Sequence, residues 1–149
     1  MNSSSGPRVG EILPTDAWTI LATEKDARLV DVRTQAEWAY VGVPDLSGVD
    51  QTLIRVEWVQ LPGMSVNPHF ADAVMDALGD TKPDKLLFIC RSGVRSLHAA
   101  QAMAGRFADS NAATQCLNVA EGFEGDLNQD GHRGFHSGWK HRGLAWRQS

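Results

Sequence analysis

The chain has 149 residues, of which 42% are hydrophobic and 21% charged, and its formal net charge is −4. This composition excludes global disorder, and the acidic balance without a basic run disfavours nonspecific nucleic-acid binding. No apolar run reaches the ~20 residues needed to cross a bilayer, and the first residues lack the segments of a signal peptide. Two cysteines are too few for a disulfide framework. The sequence therefore predicts a cytoplasmic globular protein with neither nucleic-acid nor membrane partners.

The chain divides into a short terminus and one domain. Residues 1–7 are small and polar, which predicts a disordered N-terminus, and residues 8–149 have a length typical of a single domain. Within that domain, residues 121–149 contain six glycines and little periodicity. We therefore expect a long C-terminal coil at residues 121–149, with a helical turn around Trp139.

Short apolar runs alternate with amphipathic stretches along the rest of the chain. Strands are predicted at residues 9–13, 28–32, 52–59, 86–89 and 115–119. Helices are predicted from Thr15 as N-cap, from Asn67 as N-cap with Pro68 as the first helical residue, and at residues 97–107. Residues 42–51 are predicted to be an irregular loop. This alternation indicates an α/β fold with a parallel sheet covered by helices on both faces, and such sheets bind ligands beyond the carboxyl ends of their strands.

The most apolar of these runs ends in Cys90 and leads through a glycine-containing turn into a helix. A turn this tight points several backbone N–H groups inward, and with the positive end of the helix they form an anion-binding nest. Such a nest favours the thiolate form of a cysteine, and nearby arginines strengthen the effect. We therefore predict that Cys90 is a catalytic nucleophile. The predicted substrate-binding residues around it are Arg91, Ser92, Gly93, Val94, Arg95 and Ser96.

Other candidate sites have simpler interpretations. Cys116 has no flanking glycine or arginine and is interpreted as a small core residue. Residues 126–131 fit the first half of a calcium-binding loop, but Ser137 stands where that loop requires a glutamate. Histidines spaced four and five apart at 132, 136 and 141 have no cysteine near them, so we interpret them as exposed loop residues. The sequence therefore predicts no metal and no separate cofactor.

Three stretches of the chain together resemble the rhodanese superfamily. Residues 29–33 with Glu37 and Trp38 are similar to its first signature, residues 90–96 match its active-site loop in length and composition, and residues 118–122 are similar to its closing pattern, which continues in Trp139 and Gly143. The resemblance spans residues 8–146. It implies a five-stranded parallel sheet flanked by helices and the transfer of a sulfane sulfur through a persulfide on Cys90. We expect Asp31 and Arg33 to give structural support beside the loop.

The chain also departs from that pattern. Residues 42–45 lack the usual histidine, Glu121 replaces the first glycine of the closing pair, and extra residues separate Gly122 from Trp139. Four residues lie between Cys90 and Arg95, whereas related phosphatases and arsenate reductases need five to wrap a tetrahedral oxyanion. We therefore expect a sulfurtransferase of the thiosulfate:cyanide type, with a small anionic donor (thiosulfate-like or a persulfide) and a cyanide or thiol acceptor, protein thiols included. Two alternatives stay open, namely a non-catalytic binding or redox-sensing module and a phosphatase-like enzyme.

Overall fold

The computed structural model describes residues 9–110 and 112–148, so the predicted disordered terminus at residues 1–7 lies outside the described residues. The strands are β1 (Gly10–Ile12), β2 (Arg28–Asp31), β3 (Val43–Pro44), β4 (Ile54–Arg55), β5 (Val59–Gln60), β6 (Ser65–Val66), β7 (Lys85–Ile89), β8 (Gln115–Val119) and β9 (Trp146–Arg147). The helices are α1 (Pro14–Thr23), α2 (Gln35–Tyr40), α3 (Phe70–Leu78) and α4 (Val94–Asp109), and a 3-10 turn covers Ser47–Val49. None of the helices in this part of the chain has both the length and the apolar character to cross a bilayer.

Five strands form one parallel sheet in the order β1-β8-β7-β2-β4. Two small antiparallel pairs, β3 with β9 and β5 with β6, lie outside it. The sheet is flanked by helices, so the predicted α/β class with a parallel sheet is confirmed.

Two apolar clusters cover the two faces of the sheet. Along β7, Leu86 and Phe88 belong to a cluster that includes the buried residues of α3 and α4. Leu87 and Ile89 point the other way, into a cluster with α1 and the C-terminal residues Phe123 and Trp139. Because β7 is buried on both faces after Lys85, its residues 86–89 form a continuous apolar run.

Two helices begin at residues other than the predicted ones. The N-cap of α1 is Leu13 rather than Thr15, since Pro14 needs no hydrogen-bond donor at the first helical position and the Asp16 carboxylate accepts the Leu13 N–H at 3.3 Å. The N-cap of α3 is His69 rather than Asn67. The Asn67 side chain instead accepts the His69 N–H at 2.9 Å, which closes a turn just before the helix.

Other boundaries also differ from the prediction. The helix α4 begins at Val94 rather than at residue 97, and the run at residues 52–59 is divided between β4 and β5. The division occurs because Trp58 N–H bonds to the Val32 carbonyl at the end of β2, after which the chain turns away into the β5–β6 hairpin. Helix α2 was not predicted. The C-terminal stretch consists mainly of turns, with a hydrogen bond from Arg142 N–H to Gly138 O near Trp139, and β9 returns to pair with β3.

Candidate active site

The sulfur of Cys90 lies at the carboxyl end of β7, in front of the N-terminus of α4. Its Sγ accepts a hydrogen bond from Gly93 N–H at 3.1 Å and lies 3.2 Å from Ser96 Oγ. Gly93 is the N-cap of α4 and has φ +111°, a backbone conformation that glycine adopts without strain. Residues 90–93, which we name the Cys90 loop, therefore fold back on the sulfur and direct the positive end of a helix at it. The Cys90 residue is 2% exposed, so its side chain is almost entirely enclosed by the protein.

Arg95 is held beside the sulfur by an ion pair with α2. Its Nη1 and Nη2 bond to the two carboxylate oxygens of Glu37 at 2.7 and 2.8 Å. Burial alone would raise the pKa of Glu37, but the bonds and charge of Arg95, together with bonds from Thr34, lower it from 4.5 to about 2. The hydrogen bonds to Glu37 raise the pKa of Arg95, and the negative charges of Glu37 and Asp31 raise it further against the effect of burial. Arg95 thus contributes a fixed positive charge, with its planar end already occupied by Glu37.

A buried polar network lies behind the sulfur. Ser96 Oγ is 2.5 Å from Asn118 Oδ1, and Asn118 Nδ2 donates to Glu11 Oε2 at 2.9 Å and to Gly93 O at 3.0 Å. Ser96 is fully buried and Asn118 is 2% exposed. The sequence singled out Ser96, but it assigned no chemical role to Asn118 or Glu11.

The remaining residues predicted to bind substrate lie at the surface. Arg91 and Val94 are exposed and Ser92 is half-buried. Two hydrogen bonds from C-terminal residues hold the backbone of the Cys90 loop. Cys90 O accepts Phe123 N–H at 2.8 Å, and Arg91 O accepts Glu124 N–H at 3.0 Å. Residues 121–148, which we name the C-terminal tail, therefore support the Cys90 loop.

Asp31 and Arg33 form a fully buried ion pair close to the site. Arg33 Nη2 lies 2.6 Å from Asp31 Oδ2 and donates to Gly42 O at 2.7 Å, and the guanidinium carbon lies 4.3 Å from the centre of the Phe123 ring. The pair thereby connects the end of β2, the start of β3 and the tail under the Cys90 loop. A structural role for this pair beside the Cys90 loop stays a prediction.

The second thiol has a different environment. Cys116 lies in β8 within the cluster under α4, and burial raises its pKa from 9.0 to about 12. It is therefore a protonated core residue at neutral pH. Within residues 9–110 and 112–148, no group of three or more His, Cys, Asp or Glu side chains is placed to hold a metal ion.

Comparisons with known proteins define the class of this fold. A polysulfide-sulfur transferase from Wolinella succinogenes, a homodimer, is 16% identical and superposes with a TM-score of 0.58 over 95% of this chain and 80% of that one. A Rhodopseudomonas palustris protein of unknown function, described as a possible tyrosine phosphatase, is also 16% identical, with a TM-score of 0.51 over 93% and 85%. At such low identity these likenesses show the fold alone, which is rhodanese-like.

Nearer relatives define the family. No protein-family profile matches the chain. The crystal structure of Rv0390 from M. tuberculosis is 40% identical, with a TM-score of 0.81 over 95% of this chain and 98% of that one. The uncharacterized protein RP600 of Rickettsia prowazekii is 33% identical over 138 residues, which are 93% of this chain and 97% of RP600. The chain belongs to the family of these two proteins.

Proposed function

We propose that the protein is a sulfurtransferase that carries a sulfane sulfur as a persulfide on Cys90. The observation that carries the proposal is the placement of Sγ at the N-terminus of α4, where it accepts Gly93 N–H and lies 3.2 Å from Ser96 Oγ. Inward N–H groups and a helix N-terminus stabilise an anionic sulfur, whether thiolate or persulfide. The charge of Arg95, fixed by Glu37, acts in the same direction.

The reaction has two balanced steps. In the first, the Cys90 thiolate attacks the outer sulfur of thiosulfate, a sulfur–sulfur bond forms on Sγ, and sulfite leaves with the electron pair of the broken bond. In the second, cyanide or a thiolate attacks the terminal sulfur, which departs as thiocyanate or a new persulfide and returns Cys90 to the thiolate. Covalent storage of the sulfur requires no metal or organic cofactor and gives ping-pong kinetics.

The partners that fit this chemistry are small sulfur anions and thiols. Arg91 is an exposed residue of the Cys90 loop and can attract an anionic donor such as thiosulfate or a persulfide. The acceptor is cyanide or a thiol, which can belong to another protein. A persulfide extends Sγ by a single atom and therefore suits a thiol that is almost entirely buried.

Phosphate-ester chemistry fits the site less well. A tetrahedral phosphoryl group needs donors on three oxygens, and the four-residue spacing from Cys90 to Arg95 closes a small loop. The two Arg95 nitrogens that would clasp such a group already bond to Glu37. A purely non-catalytic module would have no need of an anion-stabilising environment around its buried thiol.

Thiosulfate:cyanide turnover, measured as thiocyanate formation, tests the proposal. We expect ping-pong kinetics, loss of activity in Cys90→Ser, full retention in the matched control Cys116→Ala, and no hydrolysis of p-nitrophenyl phosphate. Turnover that survives in Cys90→Ser would exclude Cys90 as the carrier. An inactive wild-type protein whose Cys90 is reversibly oxidised by peroxide would instead favour the redox-sensing module.

A further inference from the structure

Ser96 has one hydroxyl proton and two neighbours that can receive it. Asn118 Oδ1 lies at 2.5 Å from Ser96 Oγ, and Cys90 Sγ lies at 3.2 Å. A serine hydroxyl donates one hydrogen bond at a time, although its oxygen can accept others. The direction of that proton therefore decides whether the hydroxyl acts toward the sulfur as a donor or as an acceptor.

The orientation of the Asn118 amide fixes the direction of this proton. Its Nδ2 faces Glu11 Oε2 at 2.9 Å and Gly93 O at 3.0 Å, and a carboxylate and a carbonyl can only accept. Both amide hydrogens are thus in use, and Oδ1 is the atom turned to Ser96. Since Oδ1 has no proton, the short contact with Ser96 requires the hydroxyl to donate to Asn118. The Ser96 oxygen then presents a lone pair to a Cys90 thiol, which can donate its own S–H.

The same arrangement cannot hold once the sulfur is anionic. A thiolate or persulfide has no proton to give to Ser96, and two acceptors then compete for the hydroxyl proton. A hydrogen bond to an ionised acceptor is stronger than one to a neutral amide. When the hydroxyl turns to the sulfur, however, it leaves the buried Asn118 Oδ1 without its donor, and a buried unpaired acceptor is unfavourable.

We propose that Asn118 is a positioning residue that directs the Ser96 hydroxyl proton. It holds the proton away from the sulfur while Cys90 is a thiol and releases it when Cys90 becomes a thiolate or, resting here on the proposed function, a persulfide. Asn118 thereby opposes ionisation of Cys90, and the Ser96 hydroxyl turns toward the sulfur when the sulfur becomes anionic.

The test is the pH dependence of Cys90 alkylation by iodoacetamide in a Cys116→Ala background, where Cys90 is the remaining thiol. Removing the competing acceptor with Asn118→Leu lowers the pH midpoint of the alkylation rate by about one unit. Ser96→Ala removes the hydroxyl and raises the midpoint. The matched control is Ser110→Ala at the other end of α4, whose hydroxyl bonds to the carbonyls of Arg106 and Phe107 rather than to Sγ, and it leaves the midpoint unchanged.

The charged groups around the sulfur are the same in all these variants. They are Arg95 of α4, the Asp31–Arg33 pair at the end of β2, Glu37 of α2 through Arg95, and Glu11 of β1 through Asn118. A lower alkylation midpoint in Asn118→Leu together with a higher one in Ser96→Ala therefore indicates that the Ser96 hydroxyl donates to Asn118 while Cys90 is a thiol. Midpoints that rise together in Asn118→Leu and Ser96→Ala, as a merely structural role for Asn118 predicts, overturn the proposal.

An infrared measurement covers the case in which Asn118→Leu does not fold. A thiol that donates a hydrogen bond has a lower S–H stretching frequency than a free one. At a pH where Cys90 is protonated, Ser96→Ala moves the Cys90 band to higher frequency if Ser96 accepts from the thiol. An unmoved band overturns the proposal. Neither measurement uses sulfur transfer, so a negative result here leaves the proposed function standing, and an inactive enzyme leaves this inference intact.

Discussion

Gly122 packs directly against the backbone of the Cys90 loop. A Cβ at this position would lie 2.6 Å from Cys90 O and from the carbonyl carbon and oxygen of Arg91. Its φ of +66° adds a backbone penalty for any other residue. The tail can support the loop only because residue 122 has no side chain.

The substitution Gly122→Ala tests this support at a single residue. We expect it to lower the free energy of unfolding by at least about 2 kcal/mol more than Gly143→Ala, because overpacking adds to the backbone strain. Gly143 is the matched control, with φ +76° and no heavy atom within 4 Å of its added Cβ. Urea unfolding measures the difference. Equal losses of unfolding free energy in the two variants would mean that Gly122 is not in close contact with the backbone of the Cys90 loop.

The local part of the site could be predicted from the sequence, and the distant part could not. Cys90, Gly93 and Ser96 lie within one strand–turn–helix unit, whose apolar run and glycine indicate the geometry. Asn118 lies 22 residues from Ser96 and 107 from Glu11, so their contacts depend on the order of strands in the sheet. The order of the strands in the sheet cannot be derived from the local sequence around any one of these residues.

At the scale of elements, the ion pair of Glu37 with Arg95 joins α2 to the first turn of α4. The short helix α2 was not predicted, although Thr34 and Glu37 have the spacing of a capping box and make its reciprocal bonds at 3.3 and 3.2 Å. The start of α4 was predicted too late because its first turn has an exposed valine and so carries no apolar periodicity. Both misses concern segments whose position is set by polar contacts with the neighbouring element.

The Glu37–Arg95 pair predicts a specific acid sensitivity. Because the pKa of Glu37 is about 2 in the fold against 4.5 when unperturbed, the pair stabilises the protein fully above pH 4.5, and this stabilisation is lost as pH falls toward 2. We expect Glu37→Gln to lower the free energy of unfolding by about 1–2 kcal/mol at neutral pH, since the pair is only partly buried, and to weaken the acid dependence in that window.

Urea unfolding between pH 2 and 7 measures this effect, with Glu24→Gln as the control. The Glu24–Lys85 pair is more exposed, so its loss changes stability by less than about 0.5 kcal/mol. An acid dependence in Glu37→Gln equal to that of the wild type would mean that the ion pair does not form in solution.

At the scale of the whole molecule, the C-terminal tail completes the second apolar cluster. Phe123 and Trp139 are fully buried between α1 and the sheet, and Trp139 packs edge-on against Trp18 with ring centres 5.9 Å apart. The tail was predicted as a coil because its glycines interrupt every periodic pattern, and it does consist mostly of turns. Its burial depends on single aromatic residues, which periodicity cannot reveal.

Two tryptophans of this tail give a matched pair. Trp139→Ala empties a closed site and is expected to lower the free energy of unfolding by about 3–5 kcal/mol. Trp146 is 38% exposed, and Trp146→Ala should lower it by less than half as much. Thermal or urea unfolding distinguishes them. Similar small losses for both would mean that the tail packs on the domain only loosely.

Whether Cys90 holds a transferable sulfur can be read from the intact mass of the protein after incubation with thiosulfate. We predict a mass gain of one sulfur atom on the wild type and on Cys116→Ala, no gain on Cys90→Ser, and loss of the added mass when cyanide is supplied. A wild-type protein that gains no mass, or a Cys90→Ser protein that does, would mean that Cys90 is not the sulfur carrier.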